Sequence, residues 1–140
     1  MSGSGIRLRF AIGIFGALTL CSVAHSATLQ GSEWTPLSLR EVPLTATSPV
    51  FVQFASKGRL LGFGGCNRLF ADYQTGAGNT IFIGPVAATR MACEEGVLAY
   101  EAEFAAALEH SRTYLRQQTR LTLFDSAGTP ILELRQTDWD

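Results

Sequence analysis

Short segments in which apolar and polar residues alternate follow one another along much of the chain, and glycine-containing turns separate them. The segment PVFVQFA at residues 49–55 is rich in Val and Phe, Lys57 and Gly58 form a tight turn, and RLLGFGG at residues 59–65 returns as a partner. Such alternation on both sides of a turn predicts a β-hairpin. This pattern favours a mainly β fold.

The same reasoning predicts further strands on both sides of a single helix. LFADY at residues 69–73 leads through the turn-rich QTGAGN into TIFIG at residues 80–84, which predicts a second hairpin. Three more strand-like segments lie at residues 113–117, 120–124 and 130–136, and DSAGT forms the loop between the last two.

One amphipathic helix is predicted after Cys93, because apolar residues recur there at three- and four-residue steps. They are Val97, Tyr100, Phe104 and Leu108, with Ala105, Ala106 and Ala107 among them. Four glutamates make the first half of this helix negative, as the helix dipole favours: Glu94, Glu95, Glu101 and Glu103.

The N-terminal segment has the features of a secretory signal peptide. Arg7 and Arg9 precede FAIGIFGALTLCSVA, an uncharged apolar run that is short for a membrane span and is followed by small residues. We expect cleavage after Ser26, with Ala27 as the alternative, and a retained membrane anchor as a further alternative. The chain of 140 residues then divides into a signal peptide at residues 1–26 and one domain at residues 27–140.

The three cysteines bear on localisation and on covalent structure. Cys21 closes the apolar run and could be the lipid-acceptor of a bacterial lipoprotein, but Leu20 is bulky for the position before such a cysteine. The expected product is therefore periplasmic or secreted, with a lipoprotein anchored through Cys21 as the alternative. Cleavage leaves Cys66 and Cys93, which in an oxidising compartment predict one disulfide. Two buried free thiols are the alternative.

The charge balance argues against a nucleic-acid partner. Loss of Arg7 and Arg9 takes two of the 11 basic residues and moves the formal net charge from -1 to -3. The spacing of Arg112, Arg116 and Arg120 falls in predicted strand and turn, where dispersed surface cations are expected. No basic patch with interleaved aromatic residues remains.

The stretch GRLLGFGGCNRLFADYQ raises the question of a ligand-binding loop. A phosphate-binding loop needs glycines that lead from a strand into a helix N-terminus, whereas Gly62 to Gly65 lead into Cys66, Asn67 and more strand. Glycines in strands mark bulges, barrel corners or a close approach of backbones. We therefore interpret this stretch as an architectural bend.

Three polar residues near the two cysteines are candidates for an interaction site. Asn67, Arg68 and Arg90 could form an anion site, or Asn67 could bond turn backbone while the arginines tie strand to loop. His110 follows Glu109 at a helix end, where a cation is favourable, and does not suggest catalysis. No metal-binding spacing is present in the sequence, so we expect no metal, cofactor or catalytic residue.

Two segments, GFGGCNRLFADY and GPVAATRMAC, resemble the paired signatures of the META domain family, the HslJ-like heat-shock proteins of bacterial envelopes. Trp34, the helix YEAEFAAAL and the closing hairpin RLTLFDSAGTPILEL match the family order, so the resemblance covers about residues 29–135. The chain departs from the pattern at Ala71, where the family usually has glycine, which puts a positive φ there in question.

The resemblance implies a small antiparallel β-barrel or strongly curved sheet with one packed α-helix. It also implies an association with stress responses and, in some members, with antibiotic tolerance or virulence, and no enzymatic activity. The leading hypothesis is an exported, monomeric, non-enzymatic envelope protein that acts as a stress-associated binding or stabilising module. Its partner would be an unidentified envelope protein or small ligand.

Two other functions remain as alternatives. A small barrel could carry one apolar ligand if its own side chains left room inside. Six phenylalanines are large enough to fill it, which argues against a cavity: Phe51, Phe54, Phe63, Phe70, Phe82 and Phe124. The other alternative is an inhibitor of a wall-degrading hydrolase, although the sequence has no distinctive loop for that purpose.

Overall fold

The computed structural model describes residues 28–43 and 49–137. The predicted signal peptide, its cleavage site and Cys21 lie outside these ranges. The described part contains ten strands and one α-helix. In chain order they are β1 (Ser32–Leu39), β2 (Val42–Pro43), β3 (Phe51–Phe54), β4 (Arg59–Phe63), β5 (Arg68–Gly76), β6 (Thr80–Ile83), β7 (Ala87–Ala88), α1 (Glu95–His110), β8 (Thr113–Gln117), β9 (Arg120–Phe124) and β10 (Pro130–Gln136).

Eight of these strands form a closed antiparallel β-barrel, which confirms the predicted fold class. The order around the barrel is β1, β3, β4, β5, β6, β8, β9 and β10, and β10 returns to β1. The closing pair aligns Trp34 with Gln136 and Leu39 with Leu132. The short strands β2 and β7, which the sequence analysis did not predict, add to β1 and β5.

The shortest strand pairing in the barrel is the one between β6 and β8. Only Thr80 and Thr113 pair across it, and the backbone N–H of Ile81 donates to the carbonyl of Arg112 at 2.9 Å. Helix α1 lies between β7 and β8 in the chain and packs on the barrel through Phe104, which is fully buried. Helix α1 therefore separates β7 from β8 in the chain and packs over the core.

The barrel interior is filled by the side chains of the protein itself. The largest fully buried ones include Trp34, Phe54, Phe104 and leucines of several strands: Leu60, Leu69, Leu121, Leu123, Leu132 and Leu134. Trp34 donates from Nε1 to the hydroxyl of Ser32 at 2.7 Å, so its polar atom is satisfied inside the core. The interior required by the carrier hypothesis is occupied.

The expectation that six phenylalanines fill this interior was wrong for five of them. Phe54 is fully buried, but Phe70 and Phe82 are 36% and 54% exposed, and Phe51, Phe63 and Phe124 are only partly buried. The cause is the two-residue period of a strand. In β5, for example, Leu69, Ala71 and Tyr73 point inward, so Phe70 between them points outward.

One end of the barrel is covered by Arg116. Its guanidinium lies over the ring of Trp34, 5.2 Å from the centroid. It donates from Nη1 to the carbonyl of Thr28 and from Nη2 to Oε1 of Gln136 at 3.1 Å. Arg116, which the sequence predicted to be a dispersed surface cation, therefore links the segment that precedes β1 to the end of β10.

No helix in the described ranges is long and apolar enough to span a membrane.

Candidate functional site

The glycine-rich stretch binds a carboxylate of the protein itself. After β4 the chain turns at residues 64–67, and the N–H of Gly64 donates to the carbonyl of Asn67 at 3.0 Å. Gly65 has a φ of 109°, a conformation that favours glycine. The turn directs the N–H groups of Cys66 and Asn67 at Oε2 of Glu101, at 3.2 and 2.6 Å. Successive backbone donors in such a turn form an anion-binding concavity.

The side chain of Asn67 joins this turn to the second signature segment. Its Nδ2 donates to Oε1 of Glu101 at 2.7 Å. Its Oδ1 accepts from the N–H of Met91 at 2.7 Å and from the hydroxyl of Thr89 at 3.0 Å. The amide orientation is thereby determined, because only the oxygen can accept from Met91. Bonding of turn and loop backbone by Asn67 was the alternative to an anion site in the sequence analysis.

A disulfide covers the same region. Cys66 is bonded to Cys93, with their Cα atoms 6.2 Å apart and a sequence separation of 27. This confirms the predicted pairing. Cys93 lies two residues before α1, so the bond ties the start of the helix to the turn that binds Glu101. Covalent and hydrogen-bonded links thus hold helix and barrel together at one end.

The arrangement is closed to solvent. Glu101 and Asn67 are 6% and 4% exposed, and both carboxylate oxygens of Glu101 accept hydrogen bonds from the protein. A substrate would have to displace these donors to reach the carboxylate. The physical role of this cluster is to fix helix α1 on the barrel, and the glycine-rich stretch is the architectural bend that the sequence predicted.

Glu101 is the residue that the sequence analysis missed. It was assigned to the negative first half of the helix, whereas the structure buries it beside Phe104. The signal was present, because Glu101 follows Val97 by four residues and precedes Phe104 by three, which places it on the apolar face. A charged residue on that face requires a polar partner, and the turn at residues 64–67 supplies it.

Another polar group of the helix, unlike the carboxylate of Glu101, has no hydrogen-bond partner among the described residues. The hydroxyl of Tyr100 is buried and makes no hydrogen bond within the described part of the chain. Its ring stacks on Phe104 with centroids 6.1 Å apart. Burial raises the pKa of Tyr100 to about 12, because desolvation disfavours the phenolate. The hydroxyl therefore stays neutral through the physiological range.

An open groove lies on the outer surface of strands β3, β4 and β5. We call it the outer groove, and its volume is about 430 Å³. Its lining is mainly apolar, with one charged residue: Phe51, Gln53, Leu61, Gly62, Phe63, Arg68, Leu69 and Phe70. The apolar side chains of the lining come from paired positions on neighbouring strands, since Phe51 pairs with Phe63 and Leu61 pairs with Phe70.

Comparison with known proteins assigns the architecture to a family. The family model for the META domain matches residues 27–138. This chain belongs to the META domain family. Two solved structures share the fold of this META domain. An NMR structure of a protein from Burkholderia xenovorans is 21% identical, with a TM-score of 0.64 over 79% of this chain and 85% of the other.

A second NMR structure is 20% identical, with a TM-score of 0.60 over 76% of this chain and 90% of the other. At these identities the likeness shows the fold alone. No curated protein matches the chain.

The predicted interaction residues of this META domain have different surroundings. Asn67 is enclosed in the cluster with Glu101, whereas Arg68 and Arg90 are exposed. Arg68 bonds through its backbone to Thr89, and its guanidinium has no partner within the described ranges. A binding role for the two arginines stays a prediction.

Two other sequence-based points concern the signatures. Ala71 lies within β5, paired with Leu60, and is not among the residues with positive φ, so alanine is compatible with this strand. His110 is exposed at the end of α1. Within the described residues, no three His, Cys, Asp or Glu side chains are grouped to hold a metal ion.

Proposed function

We propose that this META domain is an exported, non-enzymatic envelope protein that binds a partner protein through the outer groove. The observation that carries the proposal is the contrast between two polar features. The carboxylate of Glu101 is buried and saturated with hydrogen bonds, whereas Arg68 is exposed beside an apolar groove and unpaired among the described residues. Glu101 therefore stabilises the fold, whereas Arg68 is available to bind a partner.

The chemistry of the outer groove indicates the kind of partner. Aromatic rings with a polar rim are typical of the centres of protein interfaces. Arg68 is the only charged residue in the lining. Its guanidinium matches a carboxylate geometrically. The occupant we propose is an apolar segment of another envelope protein that carries an acidic residue beside its apolar side chains.

A stabilising role in the envelope under stress, with a link to antibiotic tolerance, is the cellular part of the proposal. The family membership supports it as the theme that the resemblance implied. The disulfide between Cys66 and Cys93 supports export, because paired cysteines persist in oxidising compartments.

Genetic complementation tests the proposed function. A deletion strain should admit more of a hydrophobic dye through its outer membrane, and the wild-type gene should restore the barrier. Phe70→Asp should fail to restore it, because a carboxylate beside Phe63 and Leu61 would oppose an apolar partner. Leu115→Asp is the matched control, since Leu115 is 41% exposed and Phe70 36% exposed.

Two results would count against this function. Full restoration by Phe70→Asp at normal protein abundance would remove the outer groove from the mechanism. An unchanged barrier in the deletion strain, with and without stress, would argue against the envelope role itself.

Export is tested separately by the intact mass of the protein recovered from the periplasm. We expect a mature form that begins at Ala27 or Thr28. A diacylglyceryl adduct on Cys21 would instead establish a lipoprotein.

A further inference from the structure

Two arginines and a histidine from separate segments line one pocket on the barrel, which we call the cationic pocket. Arg40 lies in the turn between β1 and β2, His110 ends α1, and Arg112 precedes β8. The pocket has a volume of about 290 Å³, and Asp125, Ser126 and Ile131 complete its lining. It shares no lining residue with the outer groove.

The acidic groups near the cationic pocket are already engaged. Oδ1 of Asp125 accepts from the backbone N–H groups of Ala127 and Thr129, both at 2.9 Å. Glu109 accepts from the N–H of Val86 at 2.7 Å. One oxygen of each carboxylate is therefore bonded to backbone N–H groups, and neither carboxylate forms an ion pair with Arg40 or Arg112 within the described residues.

The ion pair nearest to the pocket is weak. Nε of Arg40 lies 3.8 Å from Glu103, and the two side chains are 50% and 62% exposed. Exposed pairs at such distances contribute little to stability. A ligand with stronger negative charge can replace Glu103 as the partner of Arg40.

Arg112 is held in place with one edge of its guanidinium free. Nη1 donates to the carbonyls of Glu109 and Ser111, both at 2.7 Å. The guanidinium carbon lies 5.6 Å from the ring centroid of Phe82. Nε and Nη2 have no hydrogen-bond partner within the described residues. That edge is the planar fork that binds two oxygens of one anion.

The same contacts remove an obstacle to anion binding at this helix end. The C-terminus of a helix carries partial negative charge on its free carbonyls. Nη1 of Arg112 covers two of these carbonyls, those of Glu109 and Ser111. The guanidinium groups of Arg40 and Arg112 therefore supply the positive charge at this pocket, although the whole chain has a formal net charge of -1.

A second concavity adjoins the cationic pocket. It has a volume of about 520 Å³ and shares Arg112 and Ser126 with that pocket. Ile81, Phe82 and Thr113 are part of its lining, and Phe82 is 54% exposed. The apolar surface of the second concavity, which includes Phe82, therefore adjoins Arg112 of the cationic pocket.

From this geometry we infer that the protein binds a phosphoryl group joined to an apolar body. A phosphate monoester carries close to two negative charges and three acceptor oxygens, which suits the fork of Arg112 with Arg40 and the Ser126 hydroxyl as further donors. The apolar body lies against Phe82. A phosphorylated lipid and a soluble phosphate share the head-group chemistry, and the second concavity favours the lipid.

Calorimetric titration of the purified protein tests this inference with three probes. They are dihexanoyl phosphatidic acid below its micelle concentration, inorganic phosphate, and dihexanoyl phosphatidylcholine. We expect the phosphatidic acid to bind most tightly, because it combines the monoester with acyl chains. Phosphatidylcholine lacks the monoester charge and should bind at least about tenfold more weakly.

Variants identify the groups responsible. Arg112→Lys keeps the charge but loses the fork and should weaken phosphatidic acid binding about tenfold or more. Arg40→Gln should weaken it without touching the carbonyl contacts of Arg112. Phe82→Ala should weaken binding of phosphatidic acid but not of inorganic phosphate. Arg120→Gln, an exposed arginine outside the pocket, is the control and should change neither.

The outcomes separate the two ligand sources. Equal affinity for inorganic phosphate and no effect of Phe82→Ala would retain the cationic pocket and assign it to a soluble phosphate. Absence of binding by every probe would overturn the inference. Unchanged affinity in both Arg112→Lys and Arg40→Gln, with folding verified by circular dichroism, would overturn it as well.

Discussion

Gly64 and Glu101 lie so close together that a Cβ atom on Gly64 would be 2.3 Å from Cγ of Glu101. Real Cβ atoms do not approach other atoms this closely in a packed interior. The glycine is therefore a steric requirement of the buried carboxylate, and the two residues form one structural unit although they belong to different elements.

Gly64→Ala should destabilise the fold through this contact. Because Glu101 is held by three hydrogen bonds and cannot move freely, we expect the free energy of unfolding to fall by about 1–3 kcal/mol. Urea denaturation measures it. Gly96→Ala is the control, since nothing lies within 4 Å of its added methyl group, and its stability should stay within about 0.5 kcal/mol of wild type or rise.

Glu101→Gln should also destabilise the protein, even though glutamine has the same shape. The new amide group would face Nδ2 of Asn67, and Asn67 cannot turn over while its oxygen accepts from Met91. We expect a loss of about 1–3 kcal/mol in urea denaturation. Glu103→Gln on the exposed face should cost less than about 1 kcal/mol, and equal losses in both variants would contradict this account.

Removal of the disulfide by Cys66→Ala together with Cys93→Ala should lower the free energy of unfolding by about 3.5 kcal/mol. The reason is the larger freedom of the unfolded chain once a loop closed over 27 residues opens. Reduced wild type should match the double variant. Alkylation of the denatured, unreduced protein provides the chemical check, and two labelled cysteines in the wild type would rule the bond out.

Stability should fall at alkaline pH partly because of Tyr100. Its pKa is raised by burial to about 12 in the folded protein, against 10.0 for an ordinary tyrosine. The unfolded chain therefore releases this proton first, and stability present below pH 10 is lost as the pH rises toward 12. Urea denaturation at pH 9 and pH 11 measures the loss.

Tyr100→Phe is the matching variant. It removes the titrating group and should show a smaller loss between the two pH values. Part of the loss should remain, because burial also raises the pKa of Tyr73. The same loss in variant and wild type would show that Tyr100 does not contribute.

Phe104→Ala should be among the most destabilising single changes. The ring is fully buried between helix and barrel, so its removal leaves a cavity and should cost about 3–5 kcal/mol. Phe82→Ala, at a residue that is 54% exposed, should change stability by less than about 0.5 kcal/mol. A melting temperature of Phe104→Ala within a degree of wild type would show that α1 is peripheral.

The strand pattern was enough to locate most elements. β8, β9 and β10 have the predicted bounds, because apolar and polar residues alternate along them and the loop with Gly128 separates β9 from β10. β7 was not predicted, since a strand of two alanines has no pattern of its own. It forms because Leu69 and Phe70 of β5 offer it a partner.

Side-chain direction was predicted less well, for two different reasons. The outward direction of Phe70 was available from the sequence, because Phe70 shares its face of β5 with Arg68 and Asp72, which are exposed. The contact between Glu101 and the turn at residues 64–67 was not available. It depends on the angle at which α1 meets the barrel, and no local pattern determines that angle.

The first and last strands of the barrel lie side by side, because β1 pairs with β10 and Arg116 bonds to both Thr28 and Gln136. Closing the barrel in this order requires strands almost a hundred residues apart in sequence to meet, which slows folding. A circular permutant that links Thr137 to Thr28 through a short connector and opens the chain at Gly78 would make that pairing local. Such a chain can retain every ladder of the barrel, with its new ends in an exposed turn, but β5 and β6 then lie at opposite ends of the sequence. Permutation therefore moves the long-range closure from the β1–β10 pair to the β5–β6 pair rather than removing it.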